Sequence, residues 1–301
     1  MDVSLLSPAT LLGGCVLGIY IGVILYGFMV AQATMYFSTF SQDPICLKMT
    51  VAFLCLLETI FTVCTIHWLY HLTIIGFGDI AFEMKVPWSP LVSMTTEILM
   101  AFLVQSLNLG RLWALSKHNV YLATPIAVLI ICRFGTTMTN IVLMIQLRDI
   151  AKFEQVTLIQ ATVTAGAYIT VVSDLLTMGG LIYFLRRGRT GFNTRTDGAV
   201  RWIIQYIVNT GGLTMVVSIA FAVTFTILRD SLTFWGLWSI MGRLYANSFL
   251  GTLNCRQILR RRTGYAVHST DHMPSKTETI LFASMSEYQS GRSISLVRNN
   301  R

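Results

Sequence analysis

The chain has 301 residues, 54% hydrophobic and only 12% charged, with a mean hydropathy of +0.63. A soluble domain carries about 25% charged residues, so the composition excludes an ordinary water-soluble globule and points to a polytopic membrane protein. The net charge of +8 does not indicate nucleic-acid binding, because Lys and Arg punctuate apolar runs and form no basic stripe with interleaved aromatics.

The N-terminal stretch MDVSLLSPAT has no basic segment ahead of its apolar run, and that run is too long for a secretory signal core. It is therefore expected to stay as an uncleaved first helix. A bilayer core of about 30 Å needs roughly 20 mostly apolar residues per helix. Seven stretches meet this: 11–36, 49–74, 89–109, 120–147, 156–185, 202–228 and 232–254. Backbone groups cannot stay unpaired in lipid, so the fold class is all-α, a seven-helix transmembrane bundle over residues 1–257.

Each span carries its own polar signature. The second holds Glu58 in CLLETIF and, near its outer end, His67 and His71 four residues apart. With no further ligand at fixed spacing, these histidines read as interfacial groups flanked by Trp68 and Tyr70 rather than a metal site. A pH-sensitive or ligand-facing pair is the alternative. The third span holds Glu97. The fourth holds Arg133 and, two turns on, Asn140, with Pro125 inside the helix. The fifth holds Asp174 and a Gly-Gly pair at 179–180. The sixth places Gln205 and Asn209 on one face by their i, i+4 spacing, followed by a second pair at 211–212. These glycine pairs read as sites of close helix packing before they read as hinges. The seventh puts Arg243, Asn247 and Asn254 on one face.

Ionisable groups at bilayer depth cost about 2.5–3.5 kcal/mol on insertion scales, so they are expected to pair and to face the bundle interior. At about 1.5 Å per residue, Glu58, Arg133 and Arg243 fall near the midplane, Glu97 in the outer half and Asp174 in the inner half. Arg243 is then expected to meet Glu58 or Asp174, and Arg133 to meet Glu58 or Glu97. The planar guanidinium suits such pairing better than an ammonium. Glu58, Glu97, Arg133, Asn140, Asp174, Asn209, Arg243 and Asn247 form the candidate polar network, structural or ligand-binding.

Orientation follows from the basic residues. With the N-terminus outside, sixteen of the 22 Lys and Arg lie on the cytoplasmic side, four lie opposite, and Arg133 and Arg243 lie inside spans. This bias implies N-out and C-in. Cys15, Cys55, Cys64 and Cys132 fall within the membrane and Cys46 and Cys255 on the cytoplasmic side, so no extracellular disulfide is expected. No CxxC or HExxH spacing occurs, and neither metal nor cofactor is expected. Residues 258–301, rich in Ser and Thr with interspersed Arg, read as a disordered cytoplasmic tail. It is either a solubilising end or a segment for a kinase or cytoplasmic partner.

The run RLYANSFLGTLNCRQ (243–257) resembles the closing helix of a large family of seven-helix membrane proteins from mushroom-forming fungi (basidiomycetes), which reads like K-L-Y-S-N-S-L-L-A-T-L-N-S-R. YFLRRGRTGFNTRTD (183–197), VAFLCLLETI (51–60) and LVQSLNLGRLWALSKHN (103–119) resemble three further segments of that family, in the same order. The resemblance covers roughly residues 15–257. It implies a fungal seven-transmembrane protein of unknown function, with Arg243 where the family more often has Lys and Gly251 where it usually has Ala.

Three functions are compatible with these features. A receptor-like or sensory protein fits the N-out topology, the basic loop after helix 5 and the Ser/Thr-rich tail, and is the preferred reading. No acid-Arg-aromatic motif closes helix 3 and no N-P-x-x-Y occurs in helix 7, so G-protein coupling rests on helix count alone. A membrane-embedded isoprenoid or terpene cyclase of fungal secondary metabolism would use Glu58, Glu97 or Asp174 as a buried catalytic acid. A small-molecule transporter is disfavoured by the absence of an inverted repeat. The expected partners are the lipid bilayer, a small apolar ligand or lipid, and a kinase or cytoplasmic partner at the tail. The expected location is the plasma membrane or endoplasmic reticulum, multi-pass.

Overall fold

A computed structural model describes residues 8–76, 87–147, 156–187, 194–227 and 232–267. These residues form seven helices: α1 (Pro8–Thr39), α2 (Ile45–Tyr70), α3 (Trp88–Leu115), α4 (Val120–Leu147), α5 (Thr157–Arg187), α6 (Thr194–Ile227) and α7 (Thr233–Val267). No strand occurs among the described residues.

Proline marks where the helices start. Pro8 opens α1, Pro44 and Pro87 immediately precede α2 and α3, and Pro90 sits in the first turn of α3, positions where a missing N–H costs nothing. Pro125 lies in the second turn of α4. Asn119 caps that helix, its side-chain oxygen accepting the Tyr121 N–H at 3.1 Å. The α3–α4 turn is short because Lys117 and His118 both take positive φ, 56° and 64°. The His118 N–H thereby reaches back to the Trp113 carbonyl at 2.9 Å, closing the helix end. α2 ends in a π-helical turn, His71–Ile75.

Each helix packs on the next, and α7 returns to α1, so the bundle closes as a ring; α3 also reaches across to α5 and α7. Among the described residues the interior has three apolar clusters. One gathers Ile19, Trp68, Ile98, Ile141 and Trp235, a second Met29, Leu54, Met100, Phe249 and Leu253, and a smaller third Leu112, Ile126, Ile130 and Leu181. Trp238 packs against both of the first two, and the buried charges Glu58, Glu97 and Arg243 lie among their residues. Outward positions such as Leu17, Ile24, Val63, Ile131 and Val216 are large, apolar and exposed, which suits contact with acyl chains.

Among the described residues, six helices are long and apolar enough to cross a membrane: Leu12–Thr39, Ile45–Ile75, Trp88–Leu115, Val120–Leu147, Thr157–Arg187 and Thr210–Ile227. This is the composition of a polytopic helical membrane protein. α7, which holds the seventh span expected at 232–254, falls short on composition, because Arg243, Asn247, Asn254 and several Gly, Ser and Thr residues dilute its apolar ones. It packs against α1, α2, α3 and α6, and every residue from Met241 to Ala246 is buried, so protein rather than lipid solvates its polar groups.

Other boundaries also differ. α3 continues to Leu115 rather than ending near 109, with the Arg111 guanidinium 4.9 Å above the Phe249 ring. α7 continues to Val267, beyond the span end expected near 254. Extending an existing helix avoids the nucleation cost, and GTLNCRQILRRR contains no helix breaker after Gly251. The remainder of the tail, 268–301, lies outside the described residues.

Candidate functional site

The intramembrane charges divide into two clusters. The first joins four helices. Arg133 of α4 donates to Glu97 Oε1 of α3 at 3.0 Å, the only ion pair among the described residues. Its second terminal nitrogen donates to the Tyr245 hydroxyl of α7 at 3.3 Å. Tyr245 in turn donates to Asp174 of α5. Gln105, two turns beyond Glu97 on α3, donates to the other Asp174 oxygen at 3.1 Å. The Trp238 indole hydrogen-bonds to the Glu97 carboxylate. Every contact to the two acids is a donor, as ionised carboxylates require.

Gly242 is what lets Glu97 approach α7. A Cβ there would stand 3.1 Å from Glu97 Cγ. Arg133 and Glu97 are 4% and 2% exposed, so their charges are satisfied by each other and not by water.

The second cluster lies between α1, α2 and α7. Arg243 is fully buried, and one terminal nitrogen donates to the Ser239 carbonyl at 2.8 Å and to its hydroxyl. The other reaches Thr62 Oγ1 at 3.4 Å. The guanidinium stands 4.5 Å over the Phe61 ring, a cation–π contact. Gly22 leaves the space it fills, since a Cβ there would come within 2.6 Å of a guanidinium nitrogen.

The expectation that a carboxylate meets Arg243 directly is therefore corrected. Glu58, also fully buried, is the opposite charge Arg243 feels, but neither of its oxygens has a hydrogen-bond partner. Asp174 is engaged by α3 and α7 residues of the other cluster. The physical reason is proximity along α7, because Ser239 sits one turn before Arg243 and satisfies the fork locally. Two opposing terms then act on Glu58: its attraction to Arg243 and the cost of burying an unbonded carboxylate. The burial cost is the larger of the two, and the Glu97 charge adds to it, so Glu58→Gln is expected to leave folding stability unchanged or to raise it by about 1 kcal/mol. Thermal unfolding of detergent-solubilised protein checks this; a drop of several kilocalories would mean that Glu58 and Arg243 pair directly.

Asn247 serves the same seam. It donates to the Leu25 carbonyl at 3.0 Å and accepts from Gln32 at 3.4 Å, while Asn254 donates to the Gln32 carbonyl at 2.8 Å. These side chains stitch α7 to α1. The side chains of Gln205 and Asn209 lie outside the described residues. His67 binds Ser89 Oγ at 2.9 Å and stacks on Trp88, with ring centroids 4.8 Å apart. Trp68, expected at the interface, is instead buried against Trp235. One glycine of each Gly-Gly pair packs closely, Gly180 on Leu112 and Gly211 on Met178.

A cavity of about 80 Å³ opens beside the first cluster, between α3, α4, α5, α6 and α7. Glu97 and Arg133 form one end of it. Thr136, Thr137, Thr162 and Thr170 make a hydroxyl-bearing side with Asn140, and Phe221, Phe234, Trp235 and Trp238 make the aromatic side. Of the candidate network, the structure brings Glu97, Arg133 and Asn140 to this cavity, with Asp174 behind the ion pair. It leaves Glu58, Arg243 and Asn247 on the α1 side.

Tyr245 and Gln105 are functional neighbours that sequence reasoning missed. Gln105 had a signal, since positions 97, 101 and 105 share a helical face. Tyr245 had none, because it lies two residues from Arg243 and so on a different face of α7.

The chain matches a family of unknown function, DUF6534, over residues 170–258. The match spans the larger part of α5, all of α6 and α7 as far as Ile258, short of Arg260 to Arg262, and so includes Asp174, Arg243 and Tyr245. No curated protein and no solved structure matches the chain.

Proposed function

We propose that this is a receptor-like seven-helix membrane protein, N-terminus outside, which senses a small molecule held in the cavity between α3 and α7. The observation that carries the reading is the cavity itself. It is concave, with four aromatic faces on one side, seven convergent polar side chains on the others, and an ion pair on which four helices depend at one end. The sixteen-to-four distribution of Lys and Arg supports the orientation, and with it α7 counts as the seventh span. The cavity then lies toward the outer end, since its lining comes from the N-terminal parts of α3, α5 and α7 and the C-terminal parts of α4 and α6.

A ligand shifts a conformational equilibrium only through contacts that differ between two states. Here such contacts are available. Trp238 lines the cavity, hydrogen-bonds to Glu97 and packs edge-on against Phe61, with ring centroids 5.4 Å apart. Movement of this one indole bears on both charge clusters.

The cyclase reading is weaker on the same geometry. Glu97 and Asp174 accept donors as carboxylates, and Glu58, the acid without a hydrogen-bond partner, does not line the cavity. A general acid needs its proton within reach of substrate.

The test uses full-length protein in lipid nanodiscs, with tryptophan emission followed during titration with small alcohols, amines and carboxylates. At least one class should quench saturably, and Ala167→Phe, which fills the cavity from α5, should abolish the response. Spin labels at exposed Tyr121 and Tyr183, on the α4 start and the α5 end away from the cavity, should change separation at saturation. Failure of every class to bind would sink the proposal, and binding without a change in separation would reduce the protein to a passive carrier.

A further inference from the structure

The hydroxyl-bearing side of the cavity has an unusual hydrogen-bond polarity. Thr136 and Thr137 both donate to the Arg133 carbonyl, at 2.9 and 3.1 Å, and Thr170 donates to the Gly166 carbonyl at 2.8 Å. The single Thr162 proton has Asn140 Oδ1 and the Leu158 carbonyl as acceptors within reach. A threonine hydroxyl has one proton and two lone pairs. With each proton committed to the protein, these four side chains present only acceptors to whatever occupies the space.

The opposite side offers the faces of Phe221, Phe234, Trp235 and Trp238, whose negative quadrupoles attract cations. At the charged end, Arg133 stands between two carboxylates, Glu97 by direct pairing and Asp174 through Tyr245. That group carries one more negative than positive charge. Arg243 and Glu58 lie beyond Phe61 and balance one another. Donors are also present, in Arg133 (committed to Glu97 and Tyr245), the Asn140 amide and the unpartnered Trp235 indole N–H, but the four threonine oxygens, the aromatic faces and the net negative end together favour a cation that donates hydrogen bonds.

We infer that the cavity binds the ammonium group of a small organic amine. This rests on the cavity being a ligand site, as proposed above. The ammonium lies between the aromatic side and the threonine oxygens, close enough to Glu97 to offset the excess negative charge. A neutral isostere lacks that attraction, and an anion is repelled by the net negative end and by the aromatic faces. The cavity's 80 Å³ limits the occupant, since in the same measure a single water molecule needs about 10–15 Å³. An ammonium head with a few carbons fits, with any longer chain extending through the mouth.

The experiment uses full-length protein in nanodiscs and three probes of matched length: n-butylamine at pH 7, 1-butanol and butyrate, each titrated against tryptophan emission. Butylamine should saturate at a concentration at least tenfold lower than butanol, and butyrate should not bind. Thr137→Val, which keeps side-chain shape and removes one acceptor, should weaken butylamine severalfold and leave the unfolding temperature unchanged. Glu97→Gln should weaken it further, and the thermal midpoint reports whether that variant stays folded. Butanol or butyrate binding as tightly as butylamine would overturn the inference while leaving the ligand site standing. Absence of binding by all three probes, with the broader panel also silent, would overturn the site and this inference together.

Discussion

Replacing Arg133 with Met should cost about 3–5 kcal/mol of folding stability, the range seen when one partner of a buried ion pair is removed. The large value follows from what remains. Glu97, 2% exposed, keeps the Trp238 N–H but no cation. Asp174 keeps Gln105 and Tyr245, but the Tyr245 hydroxyl loses the donor that polarises it. Two carboxylates would then sit in the bundle without a counter-charge on their side of Phe61. Adding Glu97→Gln to Arg133→Met should recover part of the loss, since the orphaned charge is removed with its partner. Arg133→Lys should not rescue fully, because an ammonium cannot span Glu97 and Tyr245 with a planar fork. The measurement is the thermal midpoint of solubilised protein for each single variant and the double. Additive losses in the double variant would show that the two side chains do not interact.

A second large effect is expected where α1 meets α7. Gly14, Gly18 and Gly22 recur at four-residue intervals along one side of α1. A Cβ on Gly18 would collide with the backbone of Gly236, and one on Gly236 would collide with the Gly14 carbonyl. Backbone on both sides cannot yield as a flexible side chain can. In lipid, close approach of this kind supplies the van der Waals contact that holds helices together, because apolar burial alone does not favour protein over acyl chains. Gly18→Val should therefore separate α1 from α7 and cost about 3 kcal/mol, the upper part of the usual overpacking range.

The same separation would disturb the Asn247 and Asn254 bonds to α1 backbone and open the space that Gly22 reserves for Arg243. Gly27→Ala is the control. No atom lies within 4 Å of a Cβ there, and an alanine in mid-helix should be neutral or slightly stabilising. Equal losses for the two variants would mean that the glycine contact is not what joins these helices.

Much of the fold is determined by the sequence alone, because the physics involved is local. A run of about 20 apolar residues can only be a helix in lipid, and the runs 11–36, 49–74 and 120–147 lie within α1, the α2–π-turn segment and α4. Proline placement fixes where helices begin for the same reason. That the charged residues turn inward also follows from local cost, and Glu58, Glu97, Arg133 and Arg243 are all buried.

Choice of partner is another matter. Arg133 had two carboxylates within reach by depth, and selection of Glu97 depends on Gly242 giving Glu97 room beside α7 and on Tyr245 offering a second acceptor. Arg243 had two as well and took neither, because Ser239 one turn away and the Phe61 face satisfied it first. The four-residue glycine repeat is readable in α1, but nothing in its spacing names α7 as the helix it admits. The cavity is the extreme case. Its sides come from five helices, and no segment of the chain carries more than a few of the residues that give it aromatic faces, acceptor oxygens and a charged end. Depth and periodicity act along one helix, whereas pairing and enclosure depend on the rotation of neighbouring helices, which only tertiary packing decides.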